Sequence, residues 1–193
     1  MKRRVAILFS GRGSNMEALV AAMAASDYPA TPVLLLTNRP DAGGLHGVAA
    51  QSVPALCIDH RPYRGDRAAH EAAMLAALRE ARAEIICLAG YMRILTPLLV
   101  GAYAGRMLNI HPSLLPLYPG LHTHERAIAA GDARHGCTVH VVTDVLDEGP
   151  MVAQAEIPIL PGDDPDTLAA RVLVQEHVLY PRALATFIKK LPG

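Results

Sequence analysis

The chain of 193 residues has no tryptophan, two phenylalanines and three cysteines, and its charges cancel. With aromatics at 4%, it has little from which to build platforms that stack on bases. Its 18 Lys plus Arg are matched by 18 Asp plus Glu. It therefore lacks the cationic field that counterion release on nucleic acid requires, and no nucleic-acid partner is expected. Cys57, Cys87 and Cys137 are odd in number and far apart, so they form neither a disulfide framework nor a C-x-x-C metal spacing. Cys57 and Cys87 sit in apolar runs and read as core. No stretch reaches the roughly 18 uninterrupted apolar residues of a membrane span. The apolar run Val5–Phe9 is shorter than the roughly 7–15 residues of a secretory signal. A cytoplasmic chain with no membrane partner is expected.

Ala, Leu, Val and Ile make up most of the 51% hydrophobic content. That mixture suits aliphatic strands covered by Ala-rich helices. The length fits one domain of roughly 100–200 residues. Strand patterns are predicted at Arg4–Phe9, Pro32–Thr37, Ala55–Asp59, Glu84–Ala89 and Met107–Ile110. Helices are predicted at Ser14–Ala25, Gly44–Gln51, Arg67–Arg82 and Thr96–Tyr103. Ser14 and Glu17 read as a capping box for the first of these. Regular alternation of strand and helix implies right-handed crossovers and a doubly wound, mostly parallel α/β sheet. The pattern changes in the second half. His111–Gly120 holds three prolines and reads as a structured loop in which Leu115–Pro116 could be cis. A short helix is predicted at Glu125–Gly131. Strands at Gly136–Thr143 and Pro150–Pro158 lie too close for a crossover, so they are expected to be antiparallel neighbours. The terminal helix, Pro165–Lys189, contains Pro181, which is expected to break or kink it.

Four segments could carry chemistry. Ser10-Gly11-Arg12-Gly13-Ser14-Asn15 joins a strand to a helix, where free amides and the helix dipole suit a phosphate. It matches neither a Walker A loop nor a dinucleotide fingerprint, and a plain tight turn is the alternative. Asn109 and His111, two apart on a strand, project from one face. Such a pair can stabilise an oxyanion and move a proton, or can be merely structural. Ser113 has no nucleophile elbow around it. Asp144 and Asp147 lie in the turn Thr143–Pro150 and could partner a histidine, although acidic turns are commonly just solvated. Tyr91–Leu95 follows a strand end and could form a slot for a flat heterocycle. His122, His124, His135 and His140 raise a metal reading, but their spacings fit no established metal motif, and no metal is expected.

Taken together, SGRGSN, LAGYMRIL, LNIHPSLLPLYPGLHTH and HGCTVHVVTDVLDEGP, with QEHVLYP in the terminal helix, resemble the glycinamide ribonucleotide transformylase family. The resemblance implies a single formyltransferase domain over residues 1–193 with a Rossmann-like fold. Residues 1–105 would form the phosphate-binding half, and 106–193 the catalytic and folate-binding half. It implies transfer of a formyl group from 10-formyltetrahydrofolate to the amine of glycinamide ribonucleotide, in purine biosynthesis. Asn109, His111 and Asp147 match the family's catalytic residues. Gly13, Ser14, Asn15, Gln175 and Glu176 match its ribonucleotide contacts. Arg67, Met92, Arg93, Ile94 and Leu95, together with Asn109, Thr143, Asp144, Val145, Leu146 and Asp147, match its folate pocket. Leu173 and Val174 are apolar where the family contacts substrate, which leaves backbone contacts there. Only small-molecule partners are implied, for a monomer or a homodimer.

Two sibling reactions share the triad: hydrolysis of formyltetrahydrofolate and formylation of an initiator tRNA. The first goes with an extra N-terminal domain and the second with an extra C-terminal barrel, and neither addition is expected here. A non-catalytic folate or nucleotide binder would need the pocket but not the triad.

Overall fold

In Val5–Phe9 every side chain is apolar, so neither face of this strand can be left to solvent. The computed structural model, which describes residues 2–191, places it inside a seven-stranded sheet, third in the order β3-β2-β1-β4-β5-β6-β7. The strands are β1 (Arg3–Phe9), β2 (Ala30–Thr37), β3 (Ala55–Cys57), β4 (Ile85–Leu88), β5 (Met107–His111), β6 (Arg134–Val141) and β7 (Met151–Pro158). The first five are parallel. β5–β6 and β6–β7 are antiparallel, the second pair as its short connection requires.

Alternation along β1 feeds two cores. Val5, Ile7 and Phe9 face one layer, with α1 (Ser14–Met23) and the long α6 (Pro165–Lys190) over them. Ala6 and Leu8 face the other, under α3 (Arg67–Glu80) and α4 (Pro97–Ala102). Leu108 and Ile110 of β5 join the first core. Asn109 and His111 therefore point to the opposite face, toward the carboxyl edge of the sheet. Chain order reverses between β1 and β4, and ligands in open α/β sheets bind beyond the strand ends at such a point.

Four local expectations change. Ser14 is the first helical residue, not a cap. The cap position is Gly13 in the left-handed region, with no side-chain cap bond. Glu17 is drawn away, and its carboxylate accepts from the Ala49 amide at 2.9 Å, at the start of α2 (Val48–Ser52). The predicted helix at 44–51 is split: a 3-10 turn at Gly43–His46 gives way to α2 at Gly47. Pro181 does not break α6. The Tyr180 hydroxyl lies 3.1 and 3.0 Å from the Leu88 and Leu108 carbonyls, and Tyr28 donates to the Pro181 carbonyl at 2.7 Å. These anchors hold the helix on the sheet across the missing amide. Cys57, at an edge strand, is half-buried, whereas Cys87 and Cys137 are buried. The Leu115–Pro116 bond is cis.

Candidate active site

Residue types and strand register build the centre of the site. Antiparallel pairing sets Asn109 directly opposite His140, and their side chains meet, Asn109 Nδ2 lying 3.2 Å from His140 Nε2. His140 Nδ1 is 3.1 Å from the Val141 carbonyl, an acceptor, so it carries the proton. Burial holds the His140 pKa below its ordinary value, against the opposing pull of that carbonyl and of Asp147. The ring is therefore neutral with a bare Nε2. Asn109 must donate to it, which fixes the orientation of the Asn109 amide and leaves its second N–H free.

His111 ends β5. Its Nε2 is 2.9 Å from the Tyr118 carbonyl, and its Nδ1 is 3.5 Å from Asp147 Oδ2. Each ring nitrogen thus faces an oxygen acceptor. Asp147 is held by the Gly120 amide, which donates to Oδ2 at 2.9 Å, while the bare His140 Nε2 lies 3.7 Å from Oδ1 without a hydrogen to share. The side chains of His111, Asp147 and His140 are 7%, 6% and 3% exposed. Little water screens the charges in this group. Tyr118, His122 and Asp147 all have left-handed backbone, with φ of 55°, 58° and 56°. Non-glycine residues in that region are strained, and such strain persists where the surroundings over-determine it.

The loop after His111 is rigidly tied. The Ser113 hydroxyl donates to the Leu117 carbonyl at 2.6 Å. Thr138 Oγ1 donates to the Ser113 carbonyl at 2.7 Å and accepts from the Leu115 amide at 3.1 Å. Thr123 donates to the Pro112 carbonyl at 2.6 Å. Ser113 is wholly buried and already committed, so it is no nucleophile.

Two spaces meet at this group. A narrow slot of about 110 Å³ is lined by Arg93, Ile94, Leu95, Asn109 and the whole Thr143–Asp147 turn. A wider cleft of about 620 Å³ is lined by Asn15, Met92, Asn109, His111, Asp147 and Glu176, among others. Asn109 and Asp147 line both. Met92, expected in the slot, lines the wide cleft and is 68% exposed. Arg67 starts α3 and Gln175 is half-buried on α6; neither lines either space. Gly13 and Ser14 open α1, whose first-turn amides have no side-chain cap. Asn15 donates to Glu176 at 2.6 Å, and its Oδ1 is buried with no partner. Burial raises the Glu176 pKa, with the Asn15 bond opposing. Residue spacing alone did not reveal the role of His140, because only the β5–β6 register brings it to Asn109. Tyr91 and Val142 also line the slot.

Among the described residues no cluster of three or more His, Cys, Asp or Glu is placed to hold a metal ion. No described helix is long and apolar enough to cross a membrane.

A model of the formyl transferase family matches residues 3–184. The phosphoribosylglycinamide formyltransferase of Escherichia coli (strain K12) is 43% identical over 188 residues, covering 95% of this chain and 86% of that protein. The trifunctional purine biosynthetic protein adenosine-3 of Drosophila melanogaster is 43% identical over 189 residues, 97% of this chain; the chain spans 14% of the length of that protein. The crystal structure of phosphoribosylglycinamide formyltransferase from Brucella melitensis superposes with a TM-score of 0.93 at 50% identity, covering 100% of this chain and 99% of that one. With a family model that covers nearly all of its length, the chain belongs to the formyl transferase family.

Proposed function

We propose that the chain transfers a formyl group from 10-formyltetrahydrofolate to the amine of 5-phosphoribosylglycinamide. The products are formylglycinamide ribonucleotide and tetrahydrofolate, in purine biosynthesis. The observation that carries the reading is the meeting of Asn109, His111 and Asp147 at the junction of a narrow slot and a wider cleft. A flat pterin suits the slot, whose walls are aliphatic side chains and backbone of the 143–147 turn. A ribonucleotide suits the wider cleft. The uncapped first turn of α1 offers amides to its phosphate. Asn15 Oδ1, buried and unpartnered, awaits a donor such as a hydroxyl.

The residue types suit the chemistry. The substrate amine is its own nucleophile, so neither serine nor cysteine is needed. Attack at the formyl carbon builds negative charge on its oxygen. The free N–H of Asn109, aimed by His140, is a preorganised donor for that charge. His111 in cationic form satisfies both the Tyr118 carbonyl and Asp147, and its Nδ1, with only a 3.5 Å partner, can donate to the reacting atoms or to the departing folate nitrogen. Holding both substrates across one junction supplies proximity. We further propose that the protein works in the cytoplasm as a monomer or homodimer, needs no metal, and binds neither membrane nor nucleic acid.

The test is an assay of the purified chain with both substrates. Formylglycinamide ribonucleotide should form, and 10-formyltetrahydrofolate should remain intact when the ribonucleotide is left out. Deformylation without the ribonucleotide, and no transfer with it, would replace the reading by a hydrolase.

A further inference from the structure

The histidines around the loop after β5 are joined to one another rather than arranged about an ion. His135 of β6 is 1% exposed. The Pro112 carbonyl faces one of its ring nitrogens and pulls its pKa upward. The other, Nε2, lies 3.1 Å from Nδ1 of His124 on α5 (Thr123–Ala130). The two rings meet edge to face, 5.0 Å between centroids.

This chain of contacts fixes where each proton sits. A carbonyl only accepts, so the His135 nitrogen facing Pro112 carries a hydrogen. Burial, then the neighbouring His124, push the His135 pKa down to about 4, so the ring is neutral and its Nε2 is bare. The hydrogen in the 3.1 Å contact therefore belongs to His124 Nδ1. Burial also lowers the His124 pKa, with Glu125 opposing and His111 reinforcing. A neutral His124 with its hydrogen on Nδ1 has a bare Nε2. That atom makes no hydrogen bond to the described residues, and the buried side-chain atoms without a partner among those residues are Asn15 Oδ1 and His177 Nε2. It is thus open, and His124 lines the wide cleft beside His111 and Glu176.

We propose that His124 is a second proton-handling residue of the site: its Nε2 accepts a proton from the attacking amine, and the Pro112 carbonyl and His135 act as positioning groups that lock its tautomer. The proposal rests on the formyl-transfer reading of the cleft. In the step it serves, the amine nitrogen bonds to the formyl carbon and the carbonyl electron pair moves onto oxygen. The nitrogen, now carrying a surplus proton, gives it to His124 Nε2. The oxygen pair re-forms the carbonyl and the bond to the folate nitrogen breaks, with that nitrogen taking a proton from His111. One proton is gained and one lost by the protein, and exchange with water resets both rings. His111 and His124 thus divide acid and base roles between two histidines on opposite sides of the loop.

The groups facing His124 are Glu125 on its own helix, His111 on β5 and His135 on β6. Protonating His124 removes its acceptor, so kcat/KM should fall on the acid side. His124→Gln should flatten that limb and lower kcat about 100-fold, with little change in KM for the ribonucleotide. His124→Ala should lose as much, and added imidazole should restore part of its turnover, which a purely structural role would not allow. Nitrogen-15 NMR of the imidazoles in the wild-type protein should show His124 protonated on Nδ1 and bare on Nε2. A wild-type protein that forms no formylglycinamide ribonucleotide overturns the functional reading itself. An active wild type with His124 protonated on Nε2, or with His124→Gln at full turnover, overturns this proposal alone.

Discussion

At the scale of single residues, the site places neutral and charged groups in different environments. Asn109 is oriented by a neutral His140, and His111 sits between the Tyr118 carbonyl and the Asp147 carboxylate. His111→Ala and Asp147→Asn should each lower kcat by about 10²–10⁴-fold, the range for removing a general acid or its partner. Circular dichroism and the urea midpoint should show an intact fold. Near-normal kcat in both variants would remove the pair from the mechanism. Glu176 makes a separate, pH-dependent contribution. Burial raises its folded pKa above the ordinary 4.5. The stabilisation it supplies is therefore complete below about 4.5 and is lost as pH rises through the folded pKa, because an ionised carboxylate must then stay buried. Glu176→Gln keeps an acceptor for Asn15 and cannot ionise. Its urea midpoint relative to wild type should be higher at pH 8 than at pH 4. An equal difference at both values would mean that Glu176 does not titrate in this way.

At the scale of elements, strands were legible in the sequence where burial on both faces forces unbroken apolar runs, as in β1, β2 and β4. The αβ alternation then followed. Asn109 and His111 were legible as a pair because strand spacing puts them on one face. What was not legible depended on tertiary competition. The Ser14/Glu17 capping box failed because Glu17 found the Ala49 amide of α2. Pro181 stayed helical because Tyr28 and Tyr180 anchor that turn to its neighbours. His140 looked like a metal candidate until the β5–β6 register set it against Asn109. Glu71 carried no signal, yet its buried carboxylate accepts from the Thr96 amide at 2.7 Å and the Thr96 hydroxyl at 2.6 Å, fixing where the slot-lining Tyr91–Leu95 segment ends. The turn that delivers Asp147 has its own requirement. A Cβ on Gly149 would collide with the Val141 carbonyl, so the return into β7 passes too close to β6 for any side chain. Gly149→Ala should lower stability by about 1–3 kcal/mol, as overpacking does. It should also raise KM for 10-formyltetrahydrofolate more than KM for the ribonucleotide, since the turn walls the slot. Unchanged KM for the folate would separate the turn from folate binding.

At the scale of the whole molecule, cancelled charges and scarce aromatics now have a concrete counterpart. On the proposed function, anionic small molecules are held by one uncapped helix start and a few placed side chains rather than by a basic surface or a stacking platform. The proposed phosphate-binding half, 1–105, and catalytic half, 106–193, are not separate cores. One buried cluster takes Val5, Ile7, Phe9, Leu19 and Cys87 from the first and Leu108, Val139, Val172 and Leu184 from the second. Tyr180 of α6 reaches the carbonyls of both β4 and β5. Neither half can bury its share of that cluster alone, so unfolding should be a single cooperative transition. Urea curves followed by far-ultraviolet dichroism and by tyrosine fluorescence should coincide, and isolated 1–105 or 106–193 should not fold. The junction of slot and cleft is built by β5, the segment after β4 and the β6–β7 turn, so a ligand seated there binds only the folded whole. At about 100 times its Kd, either substrate should add about 2.7 kcal/mol to that one transition. Two separated transitions, with only one of them shifted by the ribonucleotide, would mean that the halves are independent units and that the shared core does not couple them.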